Sequence, residues 1–302
     1  MVSAPDILCI GSVLWDIIGR SPQPMPHGAD RPGRITRLPG GVAMNIAMAL
    51  ARLGLRPALL TAIGRDAEGE DLLAACAALG LDTGHVHRPE GLATDRYMAV
   101  EAAGGLIAAI ADAHTLEAAG AAILAPMADG RLGSAARPWA GPVALDGNLT
   151  AALLAEIATS PLFAGADLRV APASPGKAER LEPLLGHAGA TLYLNLEEAS
   201  ILCGRPCAGA PEAAARLVAA GARRVLVTDG AGPAADGLAG DGVVVAAPPA
   251  VTAVRVTGAG DTFMAAHLAA DLAGADRAAA LERGLAAAAE HVGGGAPKVA
   301  AT

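Results

Sequence analysis

Short apolar runs bounded by turn residues recur along the chain, and most lead into a longer stretch with apolar residues at helical spacing. The runs are DILCIG (6–11), RPALLTAIG (56–64), AAILAP (121–126), GPVALD (141–146), ADLRVAP (166–172), ATLYLN (190–195) and RRVLVTDG (223–230). A strand that is apolar at every position is covered on both faces. Its alternation with helices therefore predicts a mostly parallel sheet between two helical layers, an α/β/α body. Capping and turn signals place helix starts near Glu68, Thr115, Pro175, Glu197, Pro211, Asp261 and Asp276.

The alternation fails twice. Residues 12–40 are rich in Pro, Gly and Arg, and residues 92–112 read as a hairpin turning at Ala103–Gly105. Two strand-like pieces outside the main alternation predict a small β-lid on the larger body. With no internal repeat and no low-complexity linker, residues 1–302 read as one domain carrying that lid.

Composition narrows the function classes. Of 302 residues, 53% are hydrophobic and 17% charged, which supplies a large core and excludes intrinsic disorder. The formal net charge of −8 argues against a polyanion-binding surface. Aromatic residues make up 2%, too few for base-stacking platforms, so no nucleic-acid partner is expected. The charge-free run from Leu38 to Ala51 is too short, and too broken by Pro39, Gly40 and Gly41, to span a bilayer. No signal-peptide pattern is present, and four cysteines without zinc spacing fit reduced thiols, so a cytoplasmic location is expected.

The stretch RVTGAGDTF (255–263) sets glycines and an acid at the start of an apolar helix. The first N–H groups of a helix lack partners within it, and with the helix dipole they can hold an anion such as a phosphoryl group. Asp261, in the first turn, has two readings from spacing alone: a helix cap, or a base that accepts a hydroxyl proton.

VTGAGDTF resembles the C-terminal signature of the ribokinase-like (PfkB) carbohydrate kinase family. Four further segments are similar to family elements, in the family's order: PGGVAMNIAMALARLG (39–54), AIGRDAEGE (62–70), LNLEEA (194–199) and VTDG (227–230). The resemblance implies a ribokinase-like fold, ATP and Mg²⁺ as co-substrates, and phosphoryl transfer to a primary hydroxyl. Carried onto this chain, it makes Asp261 the base and Gly258, Ala259 and Gly260 the anion hole. Asn195 and Glu198 would organise Mg²⁺ through water, Thr228 and Gly230 would bind nucleotide, and Asp16, Gly41 and Asn45 would bind the sugar. Its lid stretch looks most like that of pseudouridine kinases, which implies 5′-phosphorylation of pseudouridine. A simple sugar kinase and a catalytically silent sugar- or nucleoside-binding member are the alternatives. The exposed edge of a lid hairpin further suggests a homodimer.

Two departures stand out. Arg255 occupies the first position of the family's D-T-x-G-A-G-D, so use of a monovalent cation is not carried over, and Pro233 replaces a glycine after the nucleotide motif. ASPGKA (173–178) is not a P-loop, because Ala171 and Ala178 stand where glycine and Ser or Thr are needed. Lys177 is thus expected to be a solvated residue at a helix start.

Overall fold

The layering follows from the alternation of side chains along short strands. The structure, a computed structural model, describes residues 4–103 and 105–295. In strand β1 (Ile7–Ile10), Leu8 and Ile10 enter one apolar cluster while Ile7 and Cys9 enter another, all four fully buried. Two clusters on opposite faces of one strand require a helical layer on each side.

The chain continues through β2 (Leu14–Arg20), β3 (Arg34–Gly40), α1 (Val42–Arg52), β4 (Pro57–Leu60) and α2 (Ala67–Ala78). Then come β5 (Arg96–Ala102), β6 (Gly105–Asp112), α3 (His114–Ala119), α4 (Ala125–Ala128), β7 (Pro142–Asp146) and α5 (Ala151–Thr159). Next are β8 (Asp167–Ala171), α6 (Glu182–Leu185), β9 (Ala190–Asn195), α7 (Leu196–Leu202) and α8 (Ala210–Ala219). The last elements are β10 (Arg224–Asp229), β11 (Gly232–Leu238), β12 (Gly242–Ala246), α9 (Ala259–Leu272) and α10 (Arg277–Val292).

The larger sheet has eight strands in the order β12-β11-β10-β9-β8-β7-β1-β4. Its six strands from β10 to β4 are parallel, and β11 and β12 extend it antiparallel. The chain runs from β1 to β4 on one side and later from β7 outward on the other. The direction of winding therefore reverses between β1 and β7, and the crevice at their carboxyl ends is where open α/β sheets bind ligands.

A second, four-stranded sheet runs β3-β2-β5-β6, with β2 and β5 parallel at its centre. It is built from the two segments that broke the alternation. Gly104, within the expected turn, lies outside the described residues.

One run is not a strand. AAILAP forms a 3-10 turn over Gly120–Leu124 followed by α4, with Ile123, Leu124, Pro126 and Met127 buried. Alanine and leucine favour helix, and Pro126 in the first turn of α4 fits a helix start better than a strand interior. The helix expected from Pro175 is likewise a 3-10 segment, Pro175–Leu181.

Candidate active site

The carboxyl ends of the parallel strands and the N-terminus of α9 gather most of the residues singled out by sequence. Gly258, the N-cap of α9, sits in the left-handed region at φ 83, where a side chain would be strained. Ala259 N–H is engaged by the Val256 carbonyl at 3.0 Å. Among the described residues, the N–H groups of Gly260 and Asp261 have no backbone acceptor, and nothing crowds Gly260 within 4 Å of where a Cβ would lie. The helix end thus has open donors facing open space, which suits an anion. The turn is held from behind by His291. Its Nε2 bonds the Thr257 carbonyl at 2.8 Å, and its Nδ1 lies 3.1 Å from Arg255 Nη2.

Asp261 is partly exposed and accepts a hydrogen bond from Asn45 Nδ2 at 2.9 Å. Burial pushes its carboxyl up to about 7, aided by the negative charges of Asp146, Glu198 and Asp16 and opposed by the Asn45 bond. A carboxylate with that value can take a proton at neutral pH and give it up again. Asn45, expected on the sugar, thus also orients Asp261. Gly41 caps α1 at φ 97 and leads directly to Asn45.

Asp16 lies in β2 opposite Tyr97 of β5 and Leu38 of β3, so these side chains share one face of the smaller sheet. Burial raises its carboxyl to about 6. Gly40 is required here, since a Cβ on it would overlap the Asp16 carboxylate. Ala99 and Ala109 fall on the Asp16 face, whereas Ala102 and Ala108 face the other way.

Asn195 and Glu198 form a capping box at the start of α7. Glu198 Oε2 accepts from Asn195 N–H at 2.8 Å, and Asn195 Oδ1 accepts from Glu198 N–H at 2.9 Å. The second Glu198 oxygen has no such bond, and burial raises this carboxyl. Among the described residues no group of three acidic, His or Cys side chains could hold a metal. One spare carboxylate oxygen fits Mg²⁺ held through water and substrate phosphates rather than by a protein cage. Thr228 pairs with Asn195 across β10 and β9, and Gly230 at φ 54 follows in the turn to β11.

Four participants escaped the sequence reading. At the β1–β7 crevice, Asp146 is fully buried and accepts from Ser12 N–H at 2.8 Å and Ser12 Oγ–H at 2.5 Å. It also accepts from Asn148 N–H and Nδ2, both at 2.8 Å. Ser12 Oγ in turn accepts from Val42 N–H of α1 at 2.9 Å. Lys177 is not solvated: it is half-buried, and its Nζ donates to Asn148 Oδ1. D-x-N at the end of an apolar strand was the available signal, and a strand-end acid is otherwise unremarkable.

A profile of the pfkB family of carbohydrate kinases matches residues 4–297. A pseudouridine kinase of Escherichia coli (strain K12) is 30% identical over 274 residues, covering 86% of this chain and 81% of its own. A carbohydrate kinase from Agrobacterium tumefaciens superposes with a TM-score of 0.77 at 27% identity, over 95% of this chain and 90% of its own. An Arabidopsis thaliana ribokinase complexed with ribose and ATP has the same fold, with a TM-score of 0.74 at 22% identity over 96% and 93%. No described helix is long and apolar enough to cross a membrane.

Proposed function

We propose that this chain, which belongs to the pfkB family of carbohydrate kinases, transfers the terminal phosphoryl group of ATP to the 5′-hydroxyl of pseudouridine. Family and fold make it a ribokinase-like kinase of the sugar and nucleoside class. The observation that carries the finer reading is its likeness to a pseudouridine kinase over 86% of the chain. The Asp16 face of the smaller sheet agrees with it. Ala99 and Ala109 leave room there for a planar base, where a bare pentose would leave a void.

In this reading residues 1–302 act as one cytoplasmic kinase domain, and the smaller sheet closes over the acceptor as a lid. Asp16 and the free oxygen of Asn45 take the ribose hydroxyls, beside the Gly41 turn. Asp261 accepts the 5′-hydroxyl proton as that oxygen attacks phosphorus. The turn Gly258, Ala259 and Gly260 directs backbone donors at the transferring group, where hydrogen bonds tighten as charge moves. Thr228 and Gly230 border the nucleotide. Asn195 and Glu198 would hold Mg²⁺ through water, where the ion would neutralise phosphate charge. Arg255 stands where the family's motif has an acid, so a monovalent-cation requirement is not carried over to this chain.

Turnover of a panel of acceptors tests the assignment. Pseudouridine is expected to exceed ribose and uridine by at least about 10²-fold in kcat/KM, since a site built for the extra ring N–H leaves its partner unpaired otherwise. Ribose turnover with none of pseudouridine would restore the simple sugar kinase. Turnover of no acceptor would favour the silent binder.

The lid is also the proposed dimer interface. Ile35, Leu106 and Ile110 are 79%, 60% and 62% exposed, and β6 is an unpaired edge. Apolar side chains on a free strand edge invite a second strand. Light scattering is expected to give a dimer that Ile110→Lys converts to monomer. A monomeric wild type at working concentration rejects the interface.

A further inference from the structure

The strand order lays the two ends of the reaction along one line. The acceptor residues stand near β1, the nucleotide residues Thr228 and Gly230 lie at the carboxyl end of β10 and just beyond it, and β7, β8 and β9 lie between them. Acceptor and triphosphate bound along this line would meet near the loops after β7 and β8, where the transfer itself takes place. Only two cations stand in those loops close behind the strands, Lys177 and Arg180. Arg180 is committed: Nη1 donates to the carbonyls of Asn148 at 3.3 Å and Leu149 at 3.1 Å and lies 3.7 Å from Glu117.

Lys177 is different. The residue is half-buried, its ammonium rests on the amide oxygen of Asn148, and among the described residues it has no ion-pair partner within 4.0 Å. Asn148 is itself fixed, because its amide nitrogen donates to Asp146 Oδ1 at 2.8 Å and to Ser12 Oγ at 3.0 Å. Through the Asn148 amide the lysine is tied to Asp146, and so to the crevice between β1 and β7. Burial disfavours the cation, and the attraction of Asp146 and Glu117 offsets that only in part. A ligand anion would supply the missing partner.

We propose that Lys177 is a catalytic residue of the phosphoryl transfer: its ammonium leaves Asn148 Oδ1 and binds the non-bridging oxygens of the phosphoryl group in flight. This rests on the kinase reading of the same site. The balance of the step is unchanged by it. The bond from acceptor oxygen to phosphorus forms, the bond from phosphorus to the leaving diphosphate oxygen breaks, and the hydroxyl proton goes to Asp261. Lys177 keeps its proton and supplies charge. The Asp146–Asn148–Ser12 cluster parks it where little reorganisation is needed.

The test uses the full-length protein with Lys177→Met and Lys177→Arg. Lys177→Met is expected to lower kcat by about 10²–10³-fold, the usual loss for one preorganised donor. Acceptor KM should stay within about twofold, and the Tm should not fall, since burial disfavours the removed charge more than its acidic neighbours favour it. Lys177→Arg should recover at least tenfold of the loss. With a non-hydrolysable ATP analogue and Mg²⁺ bound, the terminal phosphate ³¹P resonance should differ between wild type and Lys177→Met. A kcat for Lys177→Met within threefold of wild type overturns the proposal, as does an unmoved ³¹P resonance. If wild type phosphorylates no acceptor, the acceptor assignment has failed instead, and the ³¹P comparison still decides the role of Lys177. Should Lys177→Met not fold, Lys177→Arg and Lys177→Gln give the same reading, and equal kcat in those two overturns the proposal.

Discussion

Asp261→Asn is expected to lower kcat by about 10²–10⁴-fold, the usual contribution of a general base, while nucleotide still binds. Asparagine keeps the size of the side chain and its place beside Asn45, and removes only the basicity. Two accompanying observations separate this from damage to the fold. In wild type, the raised carboxyl makes kcat/KM climb as pH rises through about 7, and the variant should lose that limb. Stability moves the other way. A carboxyl near 7 when folded and near 4 when unfolded favours folding below the lower value, and that contribution is lost as pH rises through the upper one. At pH 8 the variant is spared this cost, so its Tm should rise slightly as its activity disappears. Near wild-type kcat would remove Asp261 from the mechanism.

The second large effect lies at the opposite ends of the strands. Asp236 of β11 is fully buried and accepts from Arg224 Nη2 at 2.8 Å and Nε at 3.1 Å, and from Arg277 Nε at 3.2 Å. Arg224 continues to Asp271 at 3.1 Å, and Arg169 joins Asp271 at 2.7 Å and Asp167 at 2.6 Å. His267, fully buried against Arg224 and hydrogen-bonded to Tyr193, is pushed down to about 3, chiefly by burial, and adds no charge. Asp236→Asn would remove the buried counter-charge that two guanidinium groups share, leaving Arg224 with Asp271 and Arg277 with the exposed Asp241. Removing one partner of a buried pair costs about 3–5 kcal/mol. The Tm should fall by roughly 6–15 °C, with kcat at 25 °C unchanged. A shift below about 2 °C would show that water already screens the cluster.

The sequence made the body legible because its parallel strands are apolar throughout, and it located the smaller sheet because two segments broke the rhythm. It misplaced AAILAP, where a short apolar run carries no period and tertiary packing decides between strand and helix. The antiparallel pair β11 and β12 gave no clear run, since β12 is largely exposed and β11 mixes alanine, glycine and Asp236. Asp261, Asn45, Asn195 and Glu198 stood out through their motifs. Ser12, Asp146, Asn148 and Lys177 did not, because each is ordinary alone and the cluster exists only where distant strands become neighbours. The faces of the smaller sheet were likewise invisible until register assigned Ala99 and Ala109 to one side and Ala102 and Ala108 to the other.

The contacts that assemble the site are long in sequence: 134 positions separate Ser12 from Asp146, and 216 separate Asn45 from Asp261. Contacts of such separation carry a large chain-closure cost and are made late in folding. During synthesis every strand of both sheets leaves the ribosome before α9 does. The growing chain can therefore collapse around its core while it holds neither the proposed base nor a complete proposed anion site. In the proposed mechanism, enzymatic competence waits for residues 259–292, when α9 docks against α1 and α10. Recovery of turnover after denaturation is therefore expected to lag recovery of helix content, which stopped-flow circular dichroism alongside an activity assay would check.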